Sequence, residues 1–199
     1  MHFIEPGEMR ERGLPKAFLC GALEEAGGTL HPGKFILGLR QAALQRGIRI
    51  YEQTSVDRIQ HGKPLRVMTP CGSVSADKLL MASNAYTPEI GKPGERIVPL
   101  HVTLFETEPL SDEQLAAIGG WQGREGIYTA HESMESYRLT AQRTIIGGSK
   151  NVQYFYDCQP RRHGGEADAS KMSVINAFRE RFPALATLPI AHSWAGWIG

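Results

Sequence analysis

Apolar positions recur along this chain at two spacings, and the switches between them mark its elements. Residues 32–46 carry the helical spacing. At about 100° per residue, Lys34, Gly38, Gln41 and Gln45 share one face. Phe35, Ile36, Leu39, Ala42 and Ala43 fill the opposite arc, with Leu37 and Leu44 to one side. A helix this apolar is expected to be buried over most of its circumference. Pro32 and Gly33 suit its entry, His31 can hydrogen-bond or pack locally there, and Gly47 suits the C′ position. Strand-length runs follow: "IRIY", "TSVDRI", "LRVM", "GSVSA" and "KLLMAS". Turn formers divide them at His61-Gly62, Pro70 to Gly72 and Asp77. "KLLMAS" is almost continuously apolar, so it is predicted as a central strand covered on both faces.

The second half of the chain alternates differently. In "RIVPLHVTLFETE", Val98, Leu100, Val102 and Leu104 alternate against Pro99, His101, Thr103 and Phe105, which predicts a long strand. Ser111 and Gln114 form the signature of a capping box before a short helix. "GIYTA", "SYRLT" and "TIIGGSK" read as a β-meander, with Gly147-Gly148 as a turn. In "ADASKMSVINAFRERF", Met172, Ile175, Phe178 and Phe182 make one helical stripe, ended by Phe182-Pro183. "LPIAHSWAGWIG" is a last strand. Residues 1–30 look irregular, and the loop-rich "NAYTPEIGKPGE" suggests a domain crossover. The sum is an α+β or mixed α/β chain with an antiparallel lobe.

Composition narrows the partners. Lys and Arg total 22 against 21 Asp and Glu, so no charged face advertises nucleic acid. Apolar residues at 41% support a core. No run reaches the roughly 20 apolar residues of a membrane span. The polar, charged N-terminus does not read as a signal peptide. Cys20, Cys71 and Cys158 are isolated, which fits reduced, buried thiols and a cytoplasmic protein. The histidines show no metal spacing, so no metal is expected.

Candidate chemistry is sparse. Tyr137-Arg138 pairs an aromatic with an arginine on a strand; Arg138 either binds a substrate carboxylate bidentately or is a solvated edge residue. "SNAYTP" follows the apolar run "KLLMA", where open α/β sheets place ligands beyond a strand's carboxyl end. Small residues there let a flat group approach the backbone.

These segments resemble a known family. "GGTLHPGKFILGLRQAALQRGIRIYEQTSVDRI" is similar to the middle of the FAD-dependent amino acid and amine oxidoreductases of the D-amino acid oxidase superfamily. "GSVSADKLLMASNAYTPEIG", "RIVPLHVTLFETEPLSDEQLAAIG", "YRLTAQRTIIGG" and "FPALATLPIAHSWAGWIG" resemble later segments in the same order. The flavour is that of the γ-glutamylputrescine oxidoreductase type. The resemblance implies a partial FAD-binding domain over 1–94, a substrate-binding antiparallel lobe over 95–190, and the start of a return strand over 191–199. It also implies FAD as cofactor, with a small amine or amino acid oxidised by hydride transfer from its α-carbon and the resulting imine hydrolysed. By the same resemblance, Val56 presents backbone to the adenine, while Ala82, Ser83 and Asn84 line the dinucleotide or flavin edge. Trp194 and Gly196 approach the flavin, Tyr137 and Arg138 face substrate, and no residue is assigned as catalytic.

The family's strand and G-x-G-x-x-G loop have no counterpart in these residues, nor does its segment beyond "WAGWIG". The chain therefore reads as the central portion of such an enzyme, expected to bind FAD weakly or not at all by itself. The alternative is a catalytically inactive remnant or binding subunit that keeps the substrate lobe and associates with another chain. Exposed apolar edges would favour self-association.

Overall fold

The computed structural model describes residues 1–90, 97–131, 133–148, 153–154 and 166–199. They fall into two units. The first comprises the described residues of Met1–Thr29, His101–Gln153 and Arg162–Gly196. The second comprises those of Leu30–Leu100 and Trp197–Gly199, with Tyr154. The first 29 residues thus fold with the lobe expected at 95–190, not with residues 30–94 as the resemblance implied.

In the first unit, the N-terminal residues are ordered rather than irregular. Strand β1 (His2–Ile4) pairs antiparallel with β2 (Gly21–Leu23), and α1 (Pro6–Glu11) lies between them in sequence. Ile4, Met9 and Leu14 are buried in the main core. That apolar content is dispersed through a turn-rich segment, so no periodicity announced it. The principal sheet contains β6 (Leu100–Thr107), β7 (Ile127–Tyr128), β8 (Ser136–Leu139), β9 (Ile145–Gly148) and β10 (Gln153–Tyr154), in the order β10-β6-β9-β8-β7. The last strand, β11 (Ile190–Ile198), pairs with β6.

Alternation along β6 holds, but the set facing the core is His101, Thr103, Phe105 and Thr107. Helix α5 (Glu166–Arg181) packs there, with Phe178 5.0 Å from Phe105 between ring centroids. Its buried face is Val174, Ile175, Ala177 and Phe178, followed by Phe182; Met172 is exposed, off the predicted stripe. Phe182-Pro183 ends the helix as expected.

Gly147 and Gly148 lie inside β9, not in a turn. A Cβ on Gly147 would fall 2.7 Å from Tyr137 and 2.8 Å from Phe105, and one on Gly148 would meet the Thr103 carbonyl. Neighbouring rings and backbone occupy the space, which is why glycine stands there. Helix α4 (Asp112–Ile118) has the predicted capping box: the Gln114 N–H donates to Ser111 Oγ at 3.1 Å, and the Ser111 N–H to Gln114 Oε1 at 2.9 Å.

In the second unit, α2 (Pro32–Gln45) starts where the sequence implied. The Lys34 N–H donates to His31 Nδ1 at 3.3 Å. At its end the Gly47 N–H bonds the Leu44 carbonyl and the Ile48 N–H that of Ala43, a Schellman closure with Gly47 at φ +76°. Burial is where expectation fails, for no residue of α2 is buried. β3 (Arg58–Gln60), β4 (Leu65–Thr69) and β5 (Gly72–Ala76) form an antiparallel sheet. The runs "IRIY" and "KLLMAS" are not strands, and Leu80 is 89% exposed. A strand requires a hydrogen-bonded neighbour, and neither run has one among the described residues. Cys20 and Cys71 are exposed, contrary to expectation; Cys71 sits in the turn between β4 and β5. Cys158 lies outside the described residues.

Candidate functional site

The second unit holds a cavity of about 410 Å³ lined by Met81, Ala82, Asn84, Thr87, Ile97 and Gly199. Its wall is a tight turn. Residues Asn84–Tyr86 form one turn of 3-10 helix leading into α3 (Thr87–Ile90). Asn84 takes φ +48°, a left-handed conformation that asparagine tolerates better than most residues. The Ser83 and Thr87 hydroxyls lie 2.9 Å apart and tie the turn together. The Gly199 N–H donates to Asn84 Oδ1 at 2.8 Å. A Cβ on Gly199 would sit 2.6 Å from Ile97 Cγ2, so glycine is needed for this approach.

None of the lining side chains is charged. Small side chains and the fixed Asn84 amide suit the edge of a flat, neutral ring. A diphosphate is favoured by nearby cations, and no lining side chain is one. Ala82 and Asn84 both line this cavity. Ser83 is not in the lining, since its hydroxyl is engaged with Thr87. Val56 is half-buried and also outside the lining; the next residue, Asp57, gives its N–H to the Met68 carbonyl at 2.9 Å. Met81, Thr87, Ile97 and Gly199 were not anticipated. Only Thr87 left a trace in the sequence, one helical turn beyond Ser83.

In the first unit, Tyr137 and Arg138 point to opposite faces of the sheet, as successive residues of a strand must. Tyr137 is 3% exposed and packs edge-on against Phe182, with ring centroids 5.3 Å apart. Its hydroxyl donates to Glu135 Oε2 at 2.9 Å, and Arg181 donates to the same oxygen at 3.0 Å and 3.2 Å. Burial, then the Glu135 carboxylate, pushes the Tyr137 phenol above its ordinary pKa. The expected contact of Tyr137 with substrate is therefore corrected: it is a core residue with a satisfied hydroxyl. The sequence hid this network because Arg181 is 46 residues from Glu135.

Arg138 occupies the other face. The register places it opposite Ile146, which lies opposite Glu106, so all three share that face. The Thr144 hydroxyl donates to Glu106 Oε1 at 2.7 Å. On β11, Trp194 is 42% exposed, and a Cβ on Gly196 would meet nothing within 4 Å. Packing within the chain thus gives no reason for glycine at 196. Among the described residues, no group of three or more His, Cys, Asp or Glu could hold a metal, and no helix is long and apolar enough to cross a membrane.

An antiparallel sheet backed by helices, joined in sequence to a unit with a small-residue cavity, is a mixed α/β arrangement that solved structures share. The structure matches glycine oxidase from Geobacillus kaustophilus with a TM-score of 0.74 at 15% identity, covering 99% of this chain and 50% of that one. It matches L-proline dehydrogenase from P. horikoshii with a TM-score of 0.73 at 19% identity, covering 98% and 51%. The model of the DAO family, FAD dependent oxidoreductase, matches residues 1–199, and the chain belongs to that family. It is 25% identical to γ-glutamylputrescine oxidoreductase of Escherichia coli over 201 residues, 98% of this chain and 44% of that protein. It is also 25% identical to a probable oxidoreductase, OrdL, of Haemophilus influenzae, over 90% of this chain and 39% of the relative. The chain spans less than half the length of these curated relatives.

Proposed function

We infer that this chain is part of an FAD-dependent oxidoreductase that oxidises the C–N bond of an amine or amino acid. The family match across residues 1–199 carries the reading. The names of similar proteins, which refer to γ-glutamylputrescine, glycine and L-proline, support the substrate class.

FAD, when bound, supplies the hydride acceptor for the carbon bearing the amine nitrogen. The chain's own contribution is binding and orientation. Ala82 and Asn84 rim a cavity without charged side chains, where a flat ring can lie against backbone. With Oδ1 held by Gly199, the Asn84 amide NH₂ serves as a donor to the ring edge. Val56, Ser83, Trp194 and Gly196 are assigned to the cofactor by resemblance. Arg138, on the sheet face opposite the core, offers a planar fork to an acidic group of the substrate. These 199 residues contain no G-x-G-x-x-G, and the cavity carries no cation. FAD binding by this chain alone is therefore weak.

The test is anaerobic reduction of the FAD-loaded oxidoreductase of which this chain is part, followed through loss of the oxidised-flavin absorbance. An amine or amino acid bleaches the band. Arg138→Gln raises the half-saturating concentration of an acidic amine by about tenfold or more and leaves that of a neutral amine unchanged. Failure of every amine and amino acid to bleach the flavin overturns the reaction class. Equal loss for acidic and neutral amines removes Arg138 from substrate binding.

A further inference from the structure

The sheet face opposite the core of the first unit carries a second charge besides Arg138. Register sorts its outer residues into rows. Arg138 lies opposite Ile146, and Ile146 lies opposite Glu106. A guanidinium and a carboxylate therefore end one row, two strand spacings or about 10 Å apart between Cα atoms. All three residues are half-buried, so this face is neither core nor open surface.

Glu106 is held so as to present its charge. The Thr144 hydroxyl donates to Glu106 Oε1 at 2.7 Å. That uses the Thr144 hydroxyl proton, so in the 2.7 Å contact between the Thr140 and Thr144 hydroxyls Thr140 is the donor. The Thr144 N–H returns to Thr140 Oγ1 at 3.2 Å. Two hydroxyls in series thus direct their dipoles at Oε1 and fix the carboxylate in place. Among the described residues Glu106 makes no ion pair, unlike Glu8, Glu52, Asp112 and Glu135. A half-buried carboxylate has lost part of its hydration, and the hydroxyls replace it at Oε1 alone. Oε2 retains its accepting lone pairs.

We propose that Glu106 is a specificity-determining residue that receives a positively charged group of the substrate, an ammonium or guanidinium other than the amine that is oxidised. Arg138, at the far end of the row, repels such a group and attracts an acidic one. The row therefore sorts the two ends of a zwitterionic amine. Ile146 between them offers an apolar bed for the methylenes that join those ends. The proposal rests on the amine-oxidising reading and deepens it by naming a charge that the substrate carries.

Free lysine and norleucine test it, because they differ by one side-chain ammonium. Each, as the racemate, is titrated anaerobically into the FAD-loaded oxidoreductase of which this chain is part. Binding is followed both by flavin bleaching and by calorimetry. Lysine half-saturates the protein at a concentration about tenfold below that of norleucine. Glu106→Gln keeps an acceptor for Thr144 and removes the charge, and the two concentrations come within about twofold of each other. Glu106→Asp keeps the charge and retains a preference for lysine. The proposal is overturned if the unaltered protein shows no preference for lysine by either method, or if Glu106→Gln leaves that preference undiminished. Bleaching by neither compound, with calorimetry still favouring lysine, would sink the enzymatic reading and leave the Glu106 site standing.

Discussion

Glu135 is the residue whose loss should be felt most. It is 3% exposed, and one oxygen, Oε2, accepts from the Tyr137 hydroxyl and from Nε and Nη2 of Arg181. Glu135→Ala removes the acceptor and leaves a phenol and a guanidinium facing a void. Removing one partner of a buried ion pair costs about 3–5 kcal/mol. The Arg181 side chain is 26% exposed and recovers some water, so about 2–4 kcal/mol is expected here. At about 2–4 °C per kcal/mol for a chain of this size, the melting temperature falls by about 4–16 °C. Tyr137→Phe removes one hydroxyl and leaves the Glu135–Arg181 pair intact, at about 1 kcal/mol. The double variant costs less than the sum, because both single changes remove the same hydrogen bond. Near-ultraviolet circular dichroism of the cluster around Phe18, Trp121, Tyr137, Phe178 and Phe182 reports this unit's own transition. A Glu135→Ala penalty no larger than that of Tyr137→Phe would refute the reasoning, since the carboxylate would then hold nothing beyond the phenol.

The same phenol sets an alkaline limit. Its folded pKa is raised, so its stabilisation is complete below the ordinary tyrosine pKa near 10 and is lost as pH rises beyond it. Melting curves above about pH 10 should fall less steeply for Tyr137→Phe than for the unmodified chain, and parallel slopes would contradict the shift. Two glycines should respond with opposite signs. Gly147→Ala drives a methyl against Tyr137 and Phe105 and should cost about 1–3 kcal/mol, whereas Gly38→Ala, with open space around it, should stabilise α2 by up to about 1 kcal/mol. Chemical denaturation of both variants checks the contrast.

Local chemistry was legible in advance wherever a few neighbouring residues decide it. His31 and Gly47 bound α2, Ser111 and Gln114 close their box, and Pro183 stops α5, because caps and breakers act within one turn of their own position. The meander and the strands at "LRVM" and "GSVSA" were readable for the same reason, since short turns join their antiparallel runs. Two residues of the small-residue segment after the apolar run, Ala82 and Asn84, line the cavity of the second unit.

Tertiary structure decided what depends on distant partners. Alternation in β6 was plain, yet only the rings of α5 select the face with His101 and Thr103 as the inner one. Tyr137 looked like a ligand contact until Glu135 and Arg181 met its hydroxyl. Gly199 reaches Asn84 across 115 residues, and no local pattern encodes that bond. The apolar arc of α2 and the run at 78–82 carry the composition of a buried core and lie exposed. A pattern states what a segment must bury; only contacts distant in sequence, or supplied by another polypeptide, determine what buries it.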